Sequence, residues 1–165
     1  NNWYNVIDKC YQVISAAKNN STGLVPDWCT ASGGSAGVVT WDNYKDHYYY
    51  DAVRYPMRIA LDYLWFGEQR AYDHMEMLTQ FFNTQGAANI KGGYYLDGGV
   101  IGNYHDAGFV ATTGVGAMAS SYTNFARQVY QEMKNTKSNE YYQDCLRMYC
   151  MLIATGNFPN PDDVL

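Results

Sequence analysis

The sequence has 165 residues, 47% hydrophobic and 16% charged, which suits one folded domain with a sizeable core and excludes a disordered tail or a coiled coil. Lys and Arg total 11 against 16 Asp and Glu, and the net charge of −5 repels a phosphate backbone, so no nucleic-acid partner is expected. No stretch approaches ~18 uninterrupted apolar residues and Asn1-Asn2-Trp3-Tyr4 has no leader character, so no membrane span, membrane partner or intact signal peptide is read.

Residues 3–17 set Trp3, Val6, Ile7, Cys10, Val13, Ile14 and Ala17 at three- and four-residue steps, which predicts an amphipathic helix ended by Asn19-Asn20-Ser21. Gly23-Leu24-Val25-Pro26-Asp27-Trp28 and the small-residue run 30–37 then form a long irregular connection of the kind that lines sites. A second apolar segment covers 52–66. Proline is tolerated only in a first turn, so Pro56 predicts regular helix from about Val53–Tyr55, with Asp51 in the turn leading in or at its cap and Gly67 at its end. A third helix is predicted over 68–82, with Ala71, Met75, Leu78 and Phe82 on one face.

Tyr94-Tyr95-Leu96, Asp97-Gly98-Gly99 and Val100-Ile101 then predict a small β-hairpin. A Gly- and Ala-rich helix over 106–120 and helices over 122–134 and 139–155 follow, the last stopped by Gly156-Asn157-Phe158-Pro159-Asn160-Pro161. The fold class is all-α, about six helices with a small hairpin excursion, and the alternation of long and short connections suggests stacked helical hairpins.

The 17 Tyr and 4 Trp are either a Tyr-rich core or sugar-stacking surfaces, since an aromatic face packs on a sugar ring while polar handles bond its hydroxyls. Cys10, Cys29, Cys145 and Cys150 form no C-x-x-C pair, and His47, His74 and His105 lack metal-ligand spacing. No metal site is expected, the histidines read as structural, and the cysteines as mostly buried free thiols.

Chemistry concentrates in Tyr48-Tyr49-Tyr50-Asp51-Ala52-Val53-Arg54-Tyr55-Pro56-Met57-Arg58. Asp51 at a helix mouth, with Arg54 three residues on, describes a carboxylate kept ionised, suited to general-base work on water. The same spacing fits an ordinary N-cap Asp with a local salt bridge.

The run Asp51–Arg58, followed by Asp62-Tyr63-Leu64-Trp65-Phe66-Gly67, with Gly23–Trp28 upstream and Thr155–Pro161 at the end, resembles glycoside hydrolase family 8, the bacterial endoglucanases of the clostridial cellulosomal type. The resemblance covers essentially the whole chain. It implies an (α/α)6 barrel that binds β-1,4-glucan in an open groove and hydrolyses it with inversion, using a Glu acid and an Asp base and no metal or organic cofactor. It places Asp51 at the base position and makes Tyr50 and Arg54 the neighbours that orient Asp51 and the attacking water. Tyr141 and Tyr142 are implied as sugar-stacking tyrosines. Trp28 and Trp41, flanking the glycine-rich loop, could stack on sugars or pack in the core. Asp27 bonds either the loop or a sugar hydroxyl.

The sequence departs from the family pattern in having no Ser-Glu-Gly acid motif among Glu68, Glu76, Glu132 and Glu140. Residues 1–165 therefore read as the C-terminal half of a family 8 catalytic domain, with the general acid elsewhere. The expected partners are a β-1,4-glucan and either the other half or further copies of this chain, since half a barrel exposes apolar faces. The resemblance implies a secreted, extracellular endo-β-1,4-glucanase. A xylanase, chitosanase or mixed-linkage β-glucanase, or a non-catalytic glucan-binding fragment, stand as alternatives.

Overall fold

The computed structural model describes residues 2–163. Six α-helices carry them: α1 (Asn2–Ala17), α2 (Tyr55–Phe66), α3 (Gln69–Gln85), α4 (Ala107–Met118), α5 (Thr123–Asn135) and α6 (Tyr141–Ala154). Each falls within a few residues of its predicted span. Pro56 sits in the first turn of α2 behind a 3₁₀ turn, Ala52–Arg54, and Gly67 closes the helix at φ 68°, the left-handed conformation that glycine adopts without strain. The glycine segment expected to be a hairpin is a turn closed by the single bridge Tyr94–Val100, and Tyr94 also bridges Tyr48. Closely spaced glycines leave little side-chain surface for longer pairing.

α4 is the centre. Asp106 caps it by accepting from the N–H groups of Gly108 (2.8 Å) and Phe109 (3.1 Å), and every residue from Ala107 to Ala117 is buried. It packs against α2, α3, α5 and α6. A methyl at Gly114 would stand 2.6 Å from the Met133 methyl, and one at Gly116 3.0 Å from Pro56 Cβ, so the missing side chains set how closely α5 and α2 approach. α5 contributes Phe125, Val129 and Met133, and α6 contributes Leu146, Cys150 and Ile153, each on one face.

An aromatic cluster fastens the long loops to this core. Tyr48 and Tyr94 exchange backbone hydrogen bonds at 2.9 Å in both directions. Their rings meet Phe109 of α4 (Tyr48, 5.6 Å) and Phe82 of α3 (Tyr94, 5.5 Å), and all four side chains are fully buried. Such edge-to-face pairs add about 0.5–1.5 kcal/mol each beyond their burial. The stretch that follows Tyr48 therefore starts from a fixed point.

α1 is held differently. Tyr11 is its one buried residue; its hydroxyl donates to Asp62, and the Arg70 guanidinium lies 4.4 Å from its ring centre. Arg70 also pairs with Asp8 at 2.8 Å, and Ser15 bonds His74 at 3.2 Å. The apolar stripe through Val6, Ile7 and Cys10 faces outward. The expectation of buried thiols is corrected accordingly: all four cysteines are free, but only Cys150 is buried, Cys29 and Cys145 are half-buried, and Cys10 is exposed on the outward stripe. Among the described residues no helix is long and apolar enough to cross a membrane.

Candidate active site

Asp51 precedes the 3₁₀ turn with helical backbone angles, and its side chain makes no capping bond to that turn. It is thus not the capping Asp that its position in the sequence suggests, because both its oxygens are drawn elsewhere. Arg54 Nη2 donates to Oδ1 at 2.6 Å, and Arg54 Nε donates to the Asp51 carbonyl at 3.1 Å. Trp28 Nε1 donates to Oδ2 at 2.9 Å. The Asp51 and Arg54 side chains are each 37% exposed, so the charged pair is open to solvent.

Asp27 holds the same turn from below. Its Oδ1 accepts from the backbone N–H of Tyr49 (2.8 Å) and of Ala52 (2.7 Å), on either side of Tyr50 and Asp51. Burial pushes its carboxyl up to about 6, against the lowering effect of these backbone donors, and the charge of Asp42 adds to the rise. Carboxylate oxygens of Asp27, Asp42 and Asp51 all lie within 4.8 Å of one another, the one set among the described residues spaced to share a cation. Asp27 spends an oxygen on two amides and Asp51 is paired with Arg54, so part of the set's negative charge is already compensated by protein donors.

Tyr50 lies beside Asp51 in the chain, but its hydroxyl points to a different set of partners. It donates to Asp106 Oδ2 at 2.9 Å, and Tyr104 Oη (2.8 Å) and Gln143 Nε2 (3.1 Å) complete its bonds. Burial, with the Tyr104 bond and the Asp106 charge, raises the phenol and keeps it neutral. Tyr142 of α6 donates to the Tyr50 carbonyl at 2.7 Å. It lies within the electrostatic reach of Arg54, Asp51, Asp27 and Arg58. Tyr141 turns away: it is 86% exposed and its interacting neighbours are Cys145 and Tyr149. Trp41, 76% exposed, meets Trp28 edge-on at 6.0 Å.

The structure thus brings Asp51, Arg54, Trp28, Trp41, Tyr50 and Tyr142 together and leaves Tyr141 outside. Asp42, Tyr104, Asp106 and Gln143 join the cluster without having been singled out by spacing. Of these only Asp106 carried a sequence signal, as an acidic residue immediately before the helix that begins at Ala107. A separate hollow lined by Met118, Ala126, Arg127 and Tyr130, among others, contains no carboxylate in its lining and none of the cluster.

The model of glycosyl hydrolases family 8 matches residues 1–156, and the chain belongs to that family. It is 46% identical over 164 residues to endoglucanase A of Acetivibrio thermocellus and 42% identical over 161 residues to endoglucanase C of Ruminiclostridium cellulolyticum, in each case over 96% of this chain. It spans only 33% and 34% of those two proteins. Among solved structures, a β-1,3-1,4-glucanase from Paenibacillus sp. X4 superposes with a TM-score of 0.86 at 31% identity, over 96% of this chain and 45% of that one. A family 8 xylobiose complex from Teredinibacter turnerae, at 23% identity and a TM-score of 0.83, shares the fold. The helices are accordingly part of an (α/α)6 barrel.

Proposed function

We propose that the chain is the C-terminal, base-bearing half of the catalytic domain of an inverting endo-β-1,4-glucanase. The observation that carries this reading is the Asp51 carboxylate, open to solvent yet held at both oxygens, with Arg54 as counter-charge and aromatic rings around it. Each oxygen keeps lone-pair capacity for a water, and a carboxylate stabilised as the anion is suited to take that water's proton. Trp41 and Tyr142 offer ring surface to a glucan chain. The identity to two endoglucanases over nearly the whole chain supports internal cleavage of a glucan. The likeness to a β-1,3-1,4-glucanase favours mixed-linkage glucan as a second reading.

An inverting mechanism needs a second carboxyl about 6.5–9.5 Å from the first, so that water fits between base and anomeric carbon. The glutamates of this chain are engaged elsewhere or stand apart. Glu68 is held down to about 2 by Arg70, Glu76 binds Ser121 at 2.7 Å, Glu132 faces His105 at 3.4 Å, and Glu140 opens α6. The proton donor is therefore assigned to the remainder of the barrel, which also covers the outward stripe of α1. Both proton transfers use side chains, so the reaction calls for no metal or organic cofactor. A polymeric substrate that cannot enter a cell places the enzyme outside it.

The test is Asp51→Asn in a complete barrel: hydrolysis of a soluble cello-oligosaccharide should be lost while its binding persists, and retained turnover overturns the assignment. Light scattering of residues 1–165 alone should show association, and a monodisperse 18.7 kDa species would count against barrel completion through these faces.

A further inference from the structure

Residues 27 and 28 seize the Asp51 turn at two levels. Their own backbone is fixed first: Asp27 N–H donates to the His47 carbonyl at 2.8 Å and Trp28 N–H to the Lys45 carbonyl at 2.9 Å. From that fixed segment Asp27 takes the amides of Tyr49 and Ala52, and Trp28 takes the Asp51 carboxylate itself. One dipeptide thus governs both the backbone that carries Asp51 and the plane of its carboxyl group.

The second grip matters because the terminal torsion of an aspartate is broad and roughly two-fold. A single contact at Oδ1 leaves the group free to swing about that contact. The Arg54 pair alone is a weak restraint, since it is half-exposed and such pairs contribute little in water. A donor at the opposite oxygen fixes the plane. An indole N–H is well suited to this, because it donates only and so cannot compete for the water's proton, and it carries no charge that would cancel the base. The ring is in turn braced edge-on by Trp41 at 6.0 Å.

We propose that Trp28 is a positioning residue, whose indole N–H fixes Asp51 Oδ2 while Arg54 fixes Oδ1, rather than a residue that acts mainly by stacking on sugar. The inference rests on Asp51 as the general base. It leaves the substrate identity open, since the same carboxylate would be aimed in the same way for any β-glycan.

The experiment is Trp28→Phe in the complete barrel, assayed on a soluble cello-oligosaccharide. Phenylalanine keeps an aromatic face for stacking and removes the N–H. The expected result is a fall in kcat of about tenfold or more, with KM changed by less than about twofold. A raised KM with unchanged kcat would make Trp28 a sugar-stacking residue, and two unchanged constants would make the bond irrelevant; either overturns the proposal. A measurement independent of turnover is the Trp28 indole N–H resonance in the Asp51→Ala protein. It should move upfield as the carboxylate acceptor disappears, and an unmoved resonance overturns the proposal even if Trp28→Phe is too unstable to assay. Asp51→Asn assayed in parallel separates the two levels. Its loss of activity beside a fully active Trp28→Phe defeats the positioning role alone, whereas an active Asp51→Asn defeats the base assignment and this inference with it.

Discussion

The Tyr142 hydroxyl donates to the backbone carbonyl of Tyr50 at 2.7 Å across 92 positions of sequence. The bond joins the first turn of α6 to the turn that carries Asp51, so the last helix of the fold helps hold the candidate base in place. Tyr142→Phe should lower unfolding stability by about 1 kcal/mol through the lost hydrogen bond. Its neighbour Tyr141, largely in solvent, is a contrast: Tyr141→Ala should stay within about 0.5 kcal/mol of the parent. Denaturant titration of the two variants in a complete barrel checks the difference, and equal losses would refute the assigned geometry.

Asp106 serves two purposes at one buried carboxylate. It caps α4 with Oδ1 and receives the Tyr50 hydroxyl with Oδ2. Asp106→Ala strips the cap and leaves buried donors unpaired, and should cost about 3 kcal/mol. Asp106→Asn keeps the capping oxygen and should cost about 1 kcal/mol. Thermal melting distinguishes the two, and parity between Ala and Asn would mean that the cap contributes nothing.

Two glycines test backbone geometry against packing. Gly67 has φ 68° and a methyl there would meet nothing within 4 Å, so Gly67→Ala should cost only the left-handed backbone, about 1 kcal/mol. Gly23 has φ 74° and its methyl would fall 2.8 Å from the Leu78 backbone nitrogen, which cannot yield as a side-chain tip can. Gly23→Ala should cost about 3 kcal/mol, measured as a shift in denaturation midpoint.

Two of the shifted carboxyls, Asp27 and Glu68, should move stability with pH in opposite directions. Burial raises Asp27 from its ordinary 3.8 to about 6, so the folded protein holds this proton more tightly than the unfolded chain. Its contribution is full below about 3.8 and is lost as pH rises through about 6. Arg70 lowers Glu68 from 4.5 to about 2, so that contribution is full above 4.5 and is lost as pH falls toward 2. Taken by themselves these two groups favour a maximum near pH 4, while His74, lowered by burial, works against the decline on the alkaline side. Asp27→Asn keeps the acceptor for Tyr49 and Ala52 and removes the titration. It should flatten the decline between pH 4 and 6 relative to the parent while leaving the acid limb unchanged.

The helices were legible because each signals itself locally: apolar steps of three and four, Pro56 in a first turn, Gly67 after a last one. The Asp51–Arg54 pair was legible for the same reason, since three residues along a turn are neighbours in space. What the sequence concealed are bonds between distant positions. Trp28 to Asp51 spans 23 residues, Tyr50 to Asp106 spans 56, and no periodicity reports either. For Trp28 the sequence left sugar stacking and core packing open, and it carried no sign of the indole N–H bond to Asp51 that the fold adds. Cys10 looked buried because periodicity identifies an apolar stripe without saying what lies against it; in α1 that stripe faces outward.

With protein on every side from Ala107 to Ala117, α4 has no face from which water can reach its amides one at a time. Deuterium should enter this helix only when α2, α3, α5 or α6 is displaced, so its exchange rate reports opening of the whole helical stack. α1, tied by a tyrosine, a guanidinium and a serine hydroxyl, can release its amides by parting from its neighbours alone. The two helices should thus exchange on well-separated timescales, α4 keeping time for the global transition and α1 for a local one.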